Sequence, residues 1–412
     1  MKIYSQYRMR LFVFACVAVA LFLRSPKLVC FPSFWAEDGI IFFKDAYMNG
    51  FESIFHPYAG YLHVVTRLCA WVSVCLFPLD ATPALFLAFF IATVFFVAYE
   101  YLSSECLPPF ARAVGALAIV MVPHCGEVFF SLTNAHWILA ALYPLLISEK
   151  PFDNKARLAS RCVLLLLLGL NDPYVVVAFP FFCLRIFRLR KLKSEWIFFA
   201  VVLVCCLIQG CVVVMSHASV PDVVSNLTLA ETIRYWVLGL LVQPIAIFFL
   251  GSEAARMALS SVTICVICTC WIIGMMCSCV VLWRKSSNNV RRLSFLFFMF
   301  AVFFFLASIY RFVKCPDCIV KYGASRYFFL PFVFGAVSIA ICVSGQCVFL
   351  LRSGLGGLLF GSILIGSIST YKVPDRLPLH WGRRMSELRD KGRTVVPVSP
   401  GDDWMLVLEG VQ

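Results

Sequence analysis

Charge is scarce in this sequence. Charged residues make up 14% of the chain and hydrophobic residues 62%, whereas soluble domains carry about 25% charged residues. This composition excludes an ordinary soluble domain. Five apolar runs approach or exceed the roughly 20 residues that a helix needs to cross a bilayer core. They are Ala84–Leu102, Glu195–Met215, Ala258–Trp283, Leu293–Tyr310 and Tyr327–Leu350.

A concentrated basic patch is also missing, although the net charge is +13. Lys and Arg lie in small clusters between the apolar runs, which argues against nucleic acid as a partner and for a lipid bilayer. The apolar run Leu11–Leu23 lacks a cleavage site, because Arg24-Ser-Pro-Lys27 follows where small residues would be needed. We therefore expect an uncleaved first helix, with Arg24 and Lys27 extending toward the far interface.

The 20 cysteines do not indicate a disulfide framework, since most of them lie inside apolar runs. In such surroundings a free Cys behaves as a small hydrophobic residue. Cys315-Pro-Asp-Cys318 differs because it falls in a polar loop. Its spacing allows a disulfide or half of a zinc site, but no second CxxC completes a metal tetrad.

The basic clusters predict the topology, because cytoplasmic loops of membrane proteins are enriched in Lys and Arg. We place the N-terminus in the cytoplasm together with the clusters at 150–161, 185–193 and 284–292. The outer loops are then 124–134, 215–257 and 311–326.

This assignment requires special roles for four segments. Tyr61–Pro78 and Arg234–Leu250 would be interfacial or re-entrant rather than spanning. Val163–Leu170 and Tyr174–Phe187 would be two short crossings joined by Asn171-Asp172-Pro173 near the outer side. The result is about eleven crossings and an external C-terminus.

We therefore expect an all-α polytopic membrane protein. Residues 1–370 would form its transmembrane domain, with 31–80 as the first external loop and interfacial helices. Residues 371–412 would form a small external α/β appendage, although its basic residues fit an external position less well. Its predicted elements are a helix at Trp381–Lys391 ended by Gly392 and strands at Thr394–Val398 and Met405–Leu408.

On this topology the six histidines and many carboxylates lie at the outer face, which we take as the functional face. Trp35-Ala-Glu37-Asp38-Gly follows the first helix, and Glu37 and Asp38 are candidate catalytic carboxylates. Adjacent side chains diverge, so the two acids do not form a converging pair. Asp38 could instead cap a helix over Ile40–Met48 that Gly50 ends.

Aromatic residues follow in the same loop. Tyr58 and Tyr61 flank an Ala-Gly turn that leads to Arg67. The two rings suit stacking on a sugar, and an interfacial aromatic belt is the alternative reading.

The next outer loop carries Glu127, Asn134 and His136 at the mouth of a helix. Glu127 with His124 and His136 would be a candidate metal site, but the histidine spacing lacks the i, i+4 pairing of a helix-borne site. We expect no cofactor, and a divalent cation is not favoured.

Cations at an outer face are exceptions to the positive-inside rule. They suggest an anionic ligand such as a lipid phosphate, and snorkelling toward headgroups is the alternative. The residues concerned are Arg311, Lys314, Lys321 and Arg326, followed by Tyr327. A carboxylate, cations and aromatic rings together match sugar transfer from a polyprenyl-phosphate donor, which needs a general base and a binding site for the leaving phosphate.

Several motifs also occur in an order typical of one family. They are Glu37-Asp38-Gly with Lys44-Asp-Ala, Pro57-Tyr-Ala-Gly-Tyr-Leu-His63 with Arg67, Glu127 with Asn134-Ala-His-Trp137, Asn171-Asp-Pro173, and Ser325-Arg-Tyr327 with Pro331. This ordered set, which covers most of residues 34–331, resembles bacterial integral-membrane glycosyltransferases of the GT-C class. Within that class it resembles the O-antigen glucosyltransferases of serotype conversion.

The resemblance implies a catalytic acid in the first external loop, hence Asp38 or Glu37. It also implies inverting transfer at the periplasmic side of a bacterial inner membrane, onto a glycan or lipopolysaccharide acceptor. We expect the donor phosphate at Arg326, Arg311, Lys321 and Arg67. We expect other substrate contacts from Tyr58, Tyr61, Glu127, Asn134, His136, Asp172 and Tyr327.

Two other functions remain open from the sequence. A transporter or lipid-linked-oligosaccharide flippase would use Asn171-Asp172-Pro173 as a broken helix near the midplane, but the long apolar runs lack central charges. An O-antigen polymerase would carry its site in a large central outer loop, whereas this sequence concentrates acids in its first loop.

Overall fold

The computed structural model describes residues 2–123, 126–216, 228–235, 243–251, 257, 262–311, 325–346, 350–369, 371–373, 375–376, 378–400 and 404–409. This part of the chain is mostly helical and has one two-stranded sheet near the C-terminus. Helices suit an apolar chain of this kind, because a backbone in lipid must satisfy its hydrogen bonds within its own segment.

The helices up to the middle of the chain are α1 (Lys2–Arg24), α2 (Pro26–Cys30), α3 (Lys44–Asn49), α4 (Val64–Cys75), α5 (Thr82–Ser103), α6 (Pro109–Met121), α7 (Ala135–Ala140), α8 (Tyr143–Ser148), α9 (Lys155–Gly169) and α10 (Tyr174–Leu189). The later helices are α11 (Lys193–Met215), α12 (Leu229–Tyr235), α13 (Gln243–Leu250), α14 (Val262–Lys285), α15 (Asn288–Arg311), α16 (Phe329–Ser344), α17 (Gly356–Ser369) and α18 (Trp381–Lys391). The strands are β1 (Arg393–Pro397) and β2 (Met405–Glu409).

Five helical segments of the described chain are long and apolar enough to cross a membrane. Each of the five segments overlaps one of the five apolar runs in the sequence. The chain is therefore a helical membrane protein, and the total of about eleven crossings stays a prediction. The five segments are Leu79–Ser103, Lys193–Met215, Val266–Lys285, Asn288–Ser308 and Arg326–Ser344.

The helix α16 is shorter than the sequence predicts, since it ends at Ser344 and not at Leu350. Gln346 folds back after the helix end, and its amide donates to the carbonyls of Cys342 and Leu282 at 2.9 Å. Both carbonyls lie in the last turn of a helix, where carbonyls have no intrahelical partner. The glutamine side chain thus donates hydrogen bonds to the C-terminal ends of both α16 and α14.

The helices α9 and α10 are separated by a break at residues 170–173, as predicted. Asn171 turns away from the break, and its side-chain oxygen accepts the Val65 amide of α4 at 2.9 Å. Asp172 accepts the amide of Tyr174 at 2.8 Å and so starts α10. The break therefore supplies caps to two helices. Of these two helices, α4 has 12 residues, fewer than the roughly 20 that a full crossing needs, and its interfacial role stays a prediction.

Arg24 does not extend toward the interface, and that prediction is wrong. The side chain is 1% exposed, and its guanidinium donates to the carbonyls of Val120 at 2.7 Å and Val122 at 2.9 Å. These carbonyls lie at the C-terminal end of α6, where they need an outside donor. Lys27 does reach the surface, where it pairs with Asp375 at 3.0 Å.

The C-terminal appendage has the predicted helix and strands. The helix α18 ends at Gly392, whose positive φ of 67° favours glycine. The strands β1 and β2 pair in antiparallel fashion, with Arg393 opposite Glu409.

The appendage packs against the first loop. The Trp381 ring makes edge contacts with the rings of Phe34 and Phe43 at 5.1 and 5.3 Å between centroids. Its indole N–H donates to the carbonyl of Leu79 at 2.7 Å. The appendage and the loop 31–81 therefore lie on the same side of the helices.

Arg376 makes the deepest contact of the appendage. Its side chain is 8% exposed. The guanidinium donates to the carbonyls of Ser33 at 3.0 Å, Phe130 at 2.7 Å and Phe129 at 3.0 Å. One side chain from the end of the sequence thus joins the first loop to the segment after α6.

Arg376→Met should destabilise the protein. The methionine keeps an apolar stem but leaves three carbonyls without a donor, and each unsatisfied buried polar group costs about 1–3 kcal/mol. We expect a clearly lower thermal unfolding midpoint in detergent. Arg383→Met is the matched control, because the Arg383 side chain is 81% exposed. Equal midpoints for the two variants would contradict the anchoring role of Arg376.

Candidate functional site

The two acids of the first loop have different surroundings. Asp38 begins a π-helical turn, Asp38–Phe43, and is 2% exposed. Its carboxylate accepts the Thr133 amide at 2.7 Å, the Thr133 hydroxyl at 2.6 Å and the Leu132 amide at 3.2 Å. The carboxylate thus binds residues 132 and 133, and these bonds do not support the alternative that Asp38 caps its own helix. The helix after it does end at Gly50 as predicted.

A buried cation partly balances Asp38. Burial raises the pKa of Asp38, while the hydrogen bonds from Thr133 and the charge of Arg376 oppose that rise. Burial lowers the pKa of Arg376 to about 10, and the Asp38 carboxylate opposes that change. The Asp38 side chain thus connects the first loop to the segment 131–133 through hydrogen bonds and to the appendage through the charge of Arg376.

Glu37 is less buried than Asp38. Its side chain is half-buried as a whole, but its Oε2 atom is itself buried and has no hydrogen-bond partner in the described part of the chain. Burial, together with the nearby Glu37 charge, raises the pKa of Tyr58 to about 12. The Glu37 carboxylate also interacts electrostatically with Arg326. The acid therefore has charged and polar neighbours but keeps one oxygen free.

Arg326 and Glu127 form an accessible ion pair beside Glu37. The distance between Arg326 Nη1 and Glu127 Oε2 is 3.4 Å, and the two side chains are 32% and 35% exposed. Burial raises the pKa of Glu127, Arg326 opposes the rise, and Glu37 adds to it. A pair this long and this exposed contributes little to stability. Its charges remain available to a ligand.

A tight hairpin presents Tyr58 and Tyr61 side by side. The two residues exchange backbone hydrogen bonds of 2.9 and 3.2 Å. The two residues between them are left-handed, with φ of 51° at Ala59 and 87° at Gly60. Positive φ at both residues matches a two-residue type I′ turn, in which glycine is favoured. The turn holds Tyr58 where it interacts with Glu37, and Tyr61 against the ring of His63.

An aromatic and imidazole cluster continues inward from this hairpin. We define it as Tyr58, Tyr61, His63, His136, Trp137, Tyr174 and Tyr327. Its ring centroids follow one another at 4.3 Å from Tyr61 to His63, 5.6 Å from His63 to His136, and 5.2 Å from His136 to Trp137. The tyrosine rings are half-buried, and His63, His136 and Trp137 are at most 5% exposed.

Arg67, expected at the donor phosphate, has a different partner. Its side chain is 2% exposed and its Nη1 lies 2.5 Å from Asp45 Oδ2. Burial raises the pKa of Asp45, but hydrogen bonds from Asn49, Arg67 and His56 outweigh this effect and leave it lowered. The charge of Arg67 is therefore already neutralised in a buried pair.

Some of the other predicted site residues have structural roles, and some lie wholly or partly outside the described residues. Asn134 supports the site, since its amide donates to the Glu127 carbonyl at 2.8 Å. Asp172 is fully buried and caps α10, as described above. Lys321 lies outside the described residues, and only the backbone of Arg311 is described, at the end of α15. The structure brings together Glu37, Tyr58, Tyr61, Glu127, His136, Arg326 and Tyr327.

Within the described part of the chain, no group of three His, Cys, Asp or Glu side chains is placed to hold a metal. Cys315, Cys318 and His124 lie outside that part, so the alternatives for them stay predictions.

Three important residues were missed as site components from the sequence: Arg376, Asn171 and His63. Arg376 is distant in sequence from the first loop. Its only local signal is that it is a basic residue close to Trp381. Asn171 lies in the predicted helix break, but no local pattern indicates its capping partner in α4. His63 ends the motif that begins at Pro57, and nothing in the sequence marks it as a buried residue.

The pKa of Glu127 should lie above the usual value of about 4.3 for Glu. Arg326→Gln should raise it further by removing a cation, and Glu37→Gln should lower it by removing an anion. Infrared titration of the protonated carboxyl band measures both shifts, and Glu127→Gln assigns the band. A pKa that moves in the opposite direction in either variant would contradict the described cluster.

Comparisons of the chain with protein-family models, with curated proteins and with solved structures find no match.

Proposed function

We propose that this chain is a membrane-bound glycosyltransferase of the GT-C type. It moves a hexose, such as glucose, from a polyprenyl-phosphate donor to a cell-surface glycan such as the O-antigen of lipopolysaccharide. The proposed location is a bacterial inner membrane, with the site facing the periplasm.

One observation carries the proposal. Glu37 keeps a buried, unpartnered carboxylate oxygen and interacts electrostatically with the partly exposed Arg326 and with Tyr58 of the aromatic and imidazole cluster. A general base needs a carboxylate oxygen that no other donor occupies. Asp38, by contrast, has its oxygens occupied by backbone and hydroxyl donors. We therefore assign the base to Glu37 and a supporting role to Asp38.

The reaction follows from these positions. Glu37 takes the proton of the acceptor hydroxyl while the acceptor oxygen forms a bond to the anomeric carbon. The bond from that carbon to the phosphate oxygen breaks, and the polyprenyl phosphate leaves with the electron pair. Arg326 stabilises the negative charge on the leaving phosphate. Glu127 holds Arg326 in place until the phosphate binds.

The helix break, which is the sequence feature of a transporter, is accounted for by local structure. One side-chain oxygen of Asn171 caps α4 and one of Asp172 caps α10, so both polar side chains of the break serve helix ends, while Asn171 Nδ2 and Asp172 Oδ2 have no partner among the described residues. This observation favours the transferase over the flippase.

The test is sugar transfer in membranes that express the wild type, Glu37→Gln or Asp38→Asn, with polyprenyl-phosphate-linked hexoses as donors. Glu37→Gln should fold normally and lose transfer by at least 100-fold, since general-base catalysis contributes about 10²–10⁴-fold. Asp38→Asn should lower the amount of folded protein, because an amide cannot accept all the donors that the carboxylate does. New mass on lipopolysaccharide reports the transfer.

Glu52→Gln is the matched control, because Glu52 is an exposed acid in the same loop. It should transfer at the wild-type rate. Full transfer by Glu37→Gln would remove the assignment of the base. A wild type that transfers none of the hexoses would contradict the transferase and return the flippase as the leading hypothesis.

A further inference from the structure

Two buried histidines lie below the tyrosine hairpin without full hydrogen bonding. His63 is 1% exposed, and neither ring nitrogen has a hydrogen-bond partner in the described chain. Only the backbone of Tyr58 approaches the ring closely enough to favour its protonated form. An unsatisfied buried polar group costs about 1–3 kcal/mol. A group of this kind in a native protein requires an explanation.

His136 is also buried, and only one of its two ring nitrogens is hydrogen-bonded within the described chain. Its Nδ1–H donates to the Thr133 carbonyl at 2.7 Å, which fixes this nitrogen as the donor. Its Nε2 has no hydrogen-bond partner among the residues that the structure describes. The two imidazole rings are 5.6 Å apart and nearly perpendicular, at 77°. Three ring nitrogens therefore lack a hydrogen-bond partner among the described residues, and the two of His63 are fully buried.

The rings in contact with the two imidazoles are aromatic. His63 contacts the rings of Tyr61 and Phe42, and His136 contacts those of Trp137 and Tyr174. Burial is the main cause of a strongly lowered pKa at His63, and the charge of Arg67 lowers it further, as the charge of Arg326 does at His136. A neutral imidazole offers one donor and one acceptor. Such a site suits hydroxyl groups, and it disfavours a cationic ligand.

A sugar ring has the matching chemistry. Its C–H faces pack on aromatic rings, and its hydroxyls both donate and accept. We propose that His63 and His136 form the floor of a subsite that reads the hydroxyls of an uncharged hexose. Tyr61 and Trp137 contribute the stacking faces. This inference rests on the proposed function, and it assigns sugar selection to residues distinct from the base and the phosphate site.

The subsite predicts a change in selectivity rather than a uniform loss of rate. A site that hydrogen-bonds a substrate hydroxyl rejects an analogue that lacks or misplaces it, because its own polar groups then stay unpaired. Replacing His63 or His136 by a ring without nitrogens removes that discrimination. A merely structural role would slow all donors by the same factor.

The experiment compares polyprenyl-phosphate-linked glucose, galactose and mannose as donors, with kcat/KM measured for each. His63→Phe, His63→Gln and His136→Phe are tested against the wild type. We expect the ratio between the best and the second-best epimer to fall at least tenfold in both Phe variants. His63→Gln should keep part of the ratio, because an amide supplies a donor and an acceptor.

His56→Phe is the matched control, since His56 is half-exposed and pairs with Asp45 away from the cluster. Its epimer ratio should equal that of the wild type. Unchanged ratios in all His63 and His136 variants, or a wild type that does not discriminate among the epimers, would overturn the subsite. Transfer of no hexose by the wild type would overturn the proposed function instead.

Discussion

A carboxylate that is removed from water must be supplied with donors, and Asp38 is the residue at which this constraint organises the protein. Its donors come from Leu132 and Thr133, about a hundred residues later in the sequence. Its nearby cation, Arg376, comes from the C-terminal appendage. Three distant segments must therefore meet before Asp38 can be buried, and the neighbouring Glu37 acquires its position as a result.

The loops around Asp38 contain polar groups that bind one another and polar groups that keep an unused donor or acceptor. The first kind supports the structure, as in the Asp45–Arg67 ion pair and the capping oxygen of Asn171. The site consists of groups that keep free capacity, namely Glu37, Arg326 and the two buried imidazoles. Chemistry requires the second kind, because a group with all its partners in place has nothing to offer a substrate. The support holds these groups in place despite their cost.

The sequence predicts the helices and the appendage well, because apolar runs, glycine ends and strand alternation are local signals. The end of α16 is predicted less well, because it depends on Gln346 reaching carbonyls of two helices. The site is predicted in part: the loop that carries Glu37 and Asp38 is identified, but their roles are not separated. That distinction depends on which acid faces residues 131–133, a contact between segments that no local pattern encodes. For the same reason Arg24 and Arg67 look like free cations in the sequence and are buried with partners in the structure.

The most direct test of this account is an electron cryo-microscopy structure of the protein in a lipid nanodisc with a bound polyprenyl-phosphate hexose. The account predicts that the phosphate lies within hydrogen-bond distance of the Arg326 guanidinium, with the anomeric carbon facing the Glu37 carboxylate. A phosphate bound at another face of the protein, or a donor sugar remote from Glu37, would contradict it.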